Sequence, residues 1–124
     1  MSTETNTDTN NKPKYHIFKN TQYALEGFIH AFKTESSFKL ELLASLFIIP
    51  AIFLLPLELS SQLALLITAF LVLIVELLNS AVENVVDLVT QDIHPLAKSA
   101  KDIGATAVMF SIVLHVGCWV LVLI

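Results

Sequence analysis

Five polar residues inside an otherwise apolar stretch are the ones with chemistry to offer. Glu76, Asn79, Ser80, Glu83 and Asp87 follow one another at spacings of three and four. At about 100° per residue they fall within an arc of roughly 100° on one helix face, while Leu77, Leu78, Val82, Val85 and Val86 take the remainder. Carboxylates in this pattern could bind divalent cations through oxygen ligands, act as general bases, or relay protons or ions. The pattern alone does not choose among the three. Ser80 reads equally well as a hydrogen-bonding helix-packing residue.

Two further clusters flank this face. Asp92, His94, Lys98, Lys101 and Asp102 follow it, placing lysines and oxygen ligands where a metal-bearing phosphate would find charge. Asp102 has an equal reading as a helix-capping acid. Upstream, Glu35-Ser36-Ser37-Phe38-Lys39-Leu40-Glu41 carries two carboxylates at interfacial depth. On pattern alone it is a solvated junction with a cap at Ser36 or Ser37.

The elements that position these residues are apolar. Hydrophobic residues make up 55% of the 124, and the mean hydropathy is +0.72. A chain this short buries too little of its surface to hide that composition from water, so an ordinary soluble enzyme is excluded. Three stretches lack Lys, Arg, Asp and Glu: Leu42–Leu57, Leu59–Val75 and Ile103–Ile124. A membrane helix needs about 20 mainly apolar residues, which predicts spans over about 38–57, 61–89 and 100–123. A middle span with acids on one face cannot turn that face to lipid, because each ionised acid would cost about 2.5–3.5 kcal/mol or more. The face must look into a polar cavity or at partner helices.

The other exclusions are short. A net charge of −4 offers nucleic acid no footprint. The single Cys118 allows neither an internal disulfide nor a cysteine metal cluster. Three scattered glycines make no glycine-rich phosphate loop. Residues 1–13 are polar and acidic and read as a disordered tail rather than a signal peptide. Residues 14–124 read as one membrane domain. Within it, Phe18, Leu25, Phe28, Ile29 and Phe32 recur at helical spacing, predicting an amphipathic surface helix over about 16–34, lying on the membrane or packed against the spans. All seven basic residues are lysines, and they precede the first span or lie near the start of the third. The positive-inside rule then puts the N-terminus in the cytoplasm and the C-terminus on the other side.

The string Glu76-Leu-Leu-Asn79-Ser80-Ala-Val-Glu83-Asn-Val-Val-Asp87, followed by Ala100-Lys101-Asp102-Ile103-Gly104-Ala105, closely resembles the prokaryotic diacylglycerol kinase family. Glu35-Ser-Ser-Phe38-Lys39-Leu-Glu41 fits that family's E-x-x-F-[RK]-x-E pattern, and Lys19, Tyr23 and Gly27 fit its surface helix. The resemblance runs from about His16 to the C-terminus. It implies an all-α protein of the bacterial inner membrane, with an N-terminal amphipathic surface helix, three transmembrane helices and homotrimeric assembly. Active sites would be shared between subunits. It implies transfer of the γ-phosphoryl of MgATP to the primary hydroxyl of diacylglycerol, giving phosphatidic acid, with no P-loop.

Carried over residue by residue, the resemblance makes Glu76 the general base and a lipid contact, and Asn79 a required polar residue beside it. Glu35 and Glu83 become the Mg²⁺ and ATP carboxylates, which reverses the bland reading of Glu35. His16, Tyr23, Asp92, His94, Lys101 and Asp102 become nucleotide contacts, and Ala105 sits near the lipid. Two positions depart from the pattern: His16 stands where many members have Arg, and Ala105 where a small hydroxyl residue is common. Glu76 lies about two turns, or roughly 10 Å, deeper than Glu83. That depth suits a lipid headgroup arriving from the bilayer. Three rivals remain: an undecaprenol kinase of the same family, a small ion or proton transporter using Glu76 and Glu83 as a relay, and a non-catalytic membrane assembly subunit, which leaves the acidic face unexplained.

Overall fold

The computed structural model describes residues 17–124. Four helices follow one another: α1 (Ile17–Thr34), α2 (Ser36–Leu54), α3 (Leu59–Val89) and α4 (Pro95–Leu123). The predicted nucleotide contact His16 lies outside the described residues, as does the predicted tail over 1–13. α2, α3 and α4 are each long and apolar enough to cross a membrane. Their outward surfaces are apolar, with Phe47, Ile67, Leu78, Phe110 and Leu121 each at least 60% exposed. Such a surface suits hydrocarbon and would aggregate in water.

The helices differ in length for a reason. α2 has 19 residues and rises about 28 Å, close to the roughly 30 Å of a hydrocarbon core. α3 has 31 residues and rises about 46 Å, so it projects beyond that core. Its acidic residues lie toward one end, from Glu76 to Asp87. α2 carries Pro50 in its interior. That proline removes one backbone donor, a loss tolerated within a membrane bundle.

Two sharp connections set the topology. The α2–α3 hairpin turns over residues 55–58, and Gln62 Nε2 closes it by donating to the Ile52 carbonyl at 3.2 Å. The α3–α4 connection spans only residues 90–94. Pro95 takes the first position of α4, where its fixed φ suits a helix start and its missing N–H costs nothing. His94 caps the same end, its Nδ1 accepting from Leu96 N–H at 3.1 Å. Lys98 and Lys101 therefore both lie on α4 itself, which starts five residues before the third span was expected to begin at about residue 100. Thr90 Oγ1 accepts from the Asp92 N–H at 3.1 Å and tightens the turn.

α1 is docked at one end. Glu35 breaks the α1–α2 path with an extended backbone, and no side chain caps α2, neither Ser36 nor Ser37. Phe38 is 1% exposed and clusters with Ala31 and Leu73. Its ring meets Phe28 edge-on, with centroids 5.7 Å apart. Lys39 Nζ stands 5.2 Å from the Phe32 ring centroid. Toward its start α1 is open, with Phe18 91% exposed. The end of this helix thus packs against the spans, and its beginning keeps an exposed apolar face, of the kind that a lipid surface can cover. The strongest helix contact is α3 on α4, then α2 on α3.

Candidate active site

Burial along the polar face of α3 is graded. Glu76 and Ser80 are buried at 5% exposure, Asn79 and Glu83 are half-buried, and Asp87 is open. The deep end faces neighbouring helices, as membrane electrostatics requires. The shallow end reaches water. Asn79 Nδ2 donates to Glu83 Oε1 at 3.3 Å, linking the two across one turn.

Other elements bring further charge. Glu35, at the α1–α2 break, and Glu83 both act electrostatically on Glu76. So does Glu41 from α2, which lies close enough for its charge to meet that of Glu76. On the α4 side, Lys101 Nζ pairs with Asp87 Oδ1 at 2.7 Å. Both partners are about half exposed, so water screens the pair and it can be given up to a phosphate. Asp102 pairs with Lys98 one turn away on α4.

Three buried polar atoms in this region have no protein partner: Glu41 Oε2, Asn79 Oδ1 and Ser80 Oγ. A buried polar atom without a partner is costly, so the site is built to receive polar groups. A cleft of about 490 Å³ opens beside it between α1 and α3, lined by Gly27, Phe28, Glu35, Leu77 and Ser80 among others. Its walls are mainly apolar, with Glu35 on its rim.

Among the described residues no group of three or more His, Cys, Asp or Glu could hold a metal unaided. Mg²⁺ with a nucleotide does not need one, since it takes one or two carboxylates and completes its shell with phosphate oxygens and water. Glu35 and Glu83 fit that demand. Glu35 makes no cap bond with its side chain, and Glu83 is engaged by Asn79 through one oxygen only.

The residues singled out in the sequence divide into two sets. Glu76, Asn79, Glu83 and Glu35 come together. Lys101 adjoins them through Asp87. Tyr23, Asp92, His94, Asp102 and Ala105 are exposed and make no recorded hydrogen bond with that cluster. His94 uses Nδ1 as a helix cap, so in its neutral form Nε2 carries the proton and is left as a donor.

Two residues here had not been singled out as site residues. Glu41 was noted as an interfacial acid only, although it closes the E-x-x-F-K-x-E string. Gly104 gave a weaker signal, a lone glycine within a helix. A Cβ at position 104 would collide with Asn79 Oδ1, so glycine here leaves the space that the Asn79 amide occupies against α4.

Comparison with known proteins identifies the family of this chain. The family profile described as prokaryotic diacylglycerol kinase matches residues 22–123. The chain belongs to that family. Within the family, it is 38% identical over 108 residues to a diacylglycerol kinase of Pseudomonas aeruginosa, covering 87% of this chain and 88% of that one. It is 35% identical over 107 residues to a diacylglycerol kinase of Escherichia coli K12, covering 86% and 88%. A diacylglycerol kinase of Helicobacter pylori is 31% identical over 103 residues, covering 83% and 80%. The matched span includes each of the clustered acids, Gly104 and both helix-start lysines. His16 lies outside it.

The Gly104 contact yields a test. Gly104→Ala should leave the fold intact, because the colliding group is the end of a flexible side chain. It should draw Asn79 away from Glu83. Catalytic rate is expected to fall by about tenfold or more, in line with the cost of small displacements at a reacting centre, with thermal stability in detergent nearly unchanged. Full activity in Gly104→Ala would show that the Asn79 position is not critical.

Proposed function

We propose that this chain transfers the γ-phosphoryl group of ATP to the primary hydroxyl of 1,2-diacylglycerol at the cytoplasmic membrane surface, giving phosphatidic acid. The observation that carries this reading is Glu76. It is a carboxylate buried at 5% exposure within a lipid-facing bundle, joined by a graded polar face to carboxylates that reach the aqueous side. Such a face can connect a lipid acceptor with a water-soluble donor. Family membership supports the same chemistry.

The residues divide the work by depth. Phosphoryl transfer depends on positioning and charge stabilisation more than on covalent help. The acceptor hydroxyl oxygen bonds to the γ-phosphorus, the bond to the ADP oxygen breaks, and Glu76 accepts the hydroxyl proton. Asn79 orients Glu83 and offers its free amide oxygen to the site. Glu35 and Glu83 would hold Mg²⁺, which when bound neutralises phosphate charge. Lys101, released from Asp87, adds a positive charge that follows the phosphates. Tyr23, Asp92, His94 and Asp102 contact the remainder of the nucleotide from the exposed rim, with His94 donating through Nε2, and Ala105 lies beside the lipid.

The lysine distribution supports a location in the bacterial inner membrane with the N-terminus in the cytoplasm and the C-terminus in the periplasm. It puts the site where ATP is. One copy leaves much of α2, α3 and α4 uncovered, including the apolar side of α3 at Leu78, Val82 and Val85 and the acidic face at Asp87. This supports a homotrimer whose sites are shared between neighbouring subunits.

The assay that tests the function is transfer of label from γ-labelled ATP to lipid by purified protein, with diacylglycerol and undecaprenol offered side by side. Labelled phosphatidic acid is expected, with little transfer to undecaprenol. Preferential labelling of undecaprenol would assign the rival lipid. Ion flux in liposomes with no lipid labelling would favour a transporter.

Shared sites predict complementation. Glu35→Ala and Glu76→Ala subunits, each inactive alone, should recover a measurable fraction of wild-type activity in verified mixed oligomers. No recovery would show that each site is built from one subunit.

A further inference from the structure

A second polar group lies away from the acids, in the opposite half of the α3–α4 contact. His115 on α4 is 8% exposed and Thr68 on α3 is 7% exposed. His115 Nδ1 and Thr68 Oγ1 are 2.8 Å apart. Trp119 Nε1, one turn along α4, donates to His115 Nε2 at 3.1 Å. The proton positions follow from the partners. An indole N–H is only a donor, so Nε2 accepts and the neutral ring carries its proton on Nδ1. That proton goes to Thr68 Oγ1, whose own proton goes to the Ala64 carbonyl at 2.9 Å. Every member is satisfied, and the ring is fixed in one tautomer.

The placement of this group relates it to the site. On α4, Lys101, Gly104, Val108, Ser111 and His115 recur at spacings of three and four and form its least exposed stripe. At one end of the stripe Lys101 pairs with Asp87, at the other His115 binds Thr68, and between them Gly104 bears on Asn79. Thr68 lies on the same flank of α3 as Asn79, about 20° from it around the helix. The exposed Lys101–Asp87 pair is weak and is needed by the nucleotide. The buried bond to Thr68 then holds the register of α4 while that pair is broken.

We propose that His115 is a positioning residue for phosphoryl transfer: by binding Thr68 it fixes the register and closeness of α4 against α3, and so holds Gly104 on Asn79 and the Asn79 amide on Glu83. The role rests on the kinase reading above. Hydrogen bonds between membrane helices are individually weak, so this one serves geometry more than stability.

The test uses the purified full-length protein in lipid, with kcat and KM for MgATP measured per amount of folded protein. His115→Leu and Thr68→Val remove the interhelical bond. Both are expected to lower kcat by about three- to tenfold with KM for MgATP within about twofold, as for a displaced reacting group. His115→Asn places an amide donor near the Nδ1 position and should recover most of the rate. Trp119→Phe removes only the bond within α4 and should leave kcat within about twofold. Trp119 is the sole tryptophan, and its emission should shift in His115→Leu as the indole loses its acceptor. If His115→Leu and Thr68→Val keep near-full kcat, or His115→Asn fails to recover a lost rate, the positioning role is wrong while the kinase reading stands. Wild-type protein that transfers no phosphate to diacylglycerol would overturn the kinase reading, and this role with it.

Discussion

An ionised carboxylate cannot face hydrocarbon, and the arrangement of this small protein follows from that constraint. α3 carries its acids on a single face, so one rotation about the helix axis hides all of them. The helix is also longer than the hydrocarbon core, so the same face passes from a buried Glu76 through a half-buried Glu83 to an open Asp87. Burial and access to water thus lie along one helix, about 16 Å from end to end. α2 and α4 cover the deep part, and the break at Glu35 brings a further carboxylate toward it from the α1 side.

Covering a polar face requires close helix contact, and the covering helices are adapted to it. Gly104 lets the α4 backbone approach Asn79. Polar residues Ser111 and Thr68 are buried along the same contact, while Ser80 is buried toward α1. Each hydroxyl in a helix can return its proton to a carbonyl of the preceding turn, as Ser111 does to Val108 at 2.7 Å and Thr68 to Ala64. Such residues pack tightly without adding an unsatisfied donor. Ser80 and Asn79 are the exceptions, with Ser80 Oγ and Asn79 Oδ1 left without a protein partner.

Much of this was legible in the sequence, and the reason is physical. A membrane allows few backbone arrangements, so charge-free runs locate the spans, and three helices appear where three were expected. The α3 face was readable because its residues obey helical spacing. Helix ends were less so. The third span was expected from about residue 100, which left Lys98 in the loop, whereas Pro95 and the His94 cap begin α4 before it. Contacts between helices left almost no trace. Neither the Gly104–Asn79 approach nor the Thr68–His115–Trp119 chain follows a spacing within one segment, since both depend on how α4 sits against α3. Glu41 had a visible position, but its closeness to Glu76 depends on the crossing of α2 and α3.

The central claim is that Glu76 accepts the proton of a lipid hydroxyl, while its neighbours hold the nucleotide. Steady-state turnover of Glu76→Gln, with MgATP binding measured separately, tests it most directly. The amide keeps the shape and removes the base. A fall in kcat of about 10²–10⁴-fold is expected, with MgATP affinity close to wild type. Near-full kcat in Glu76→Gln would contradict the claim and leave Glu76 as a structural member of the polar face.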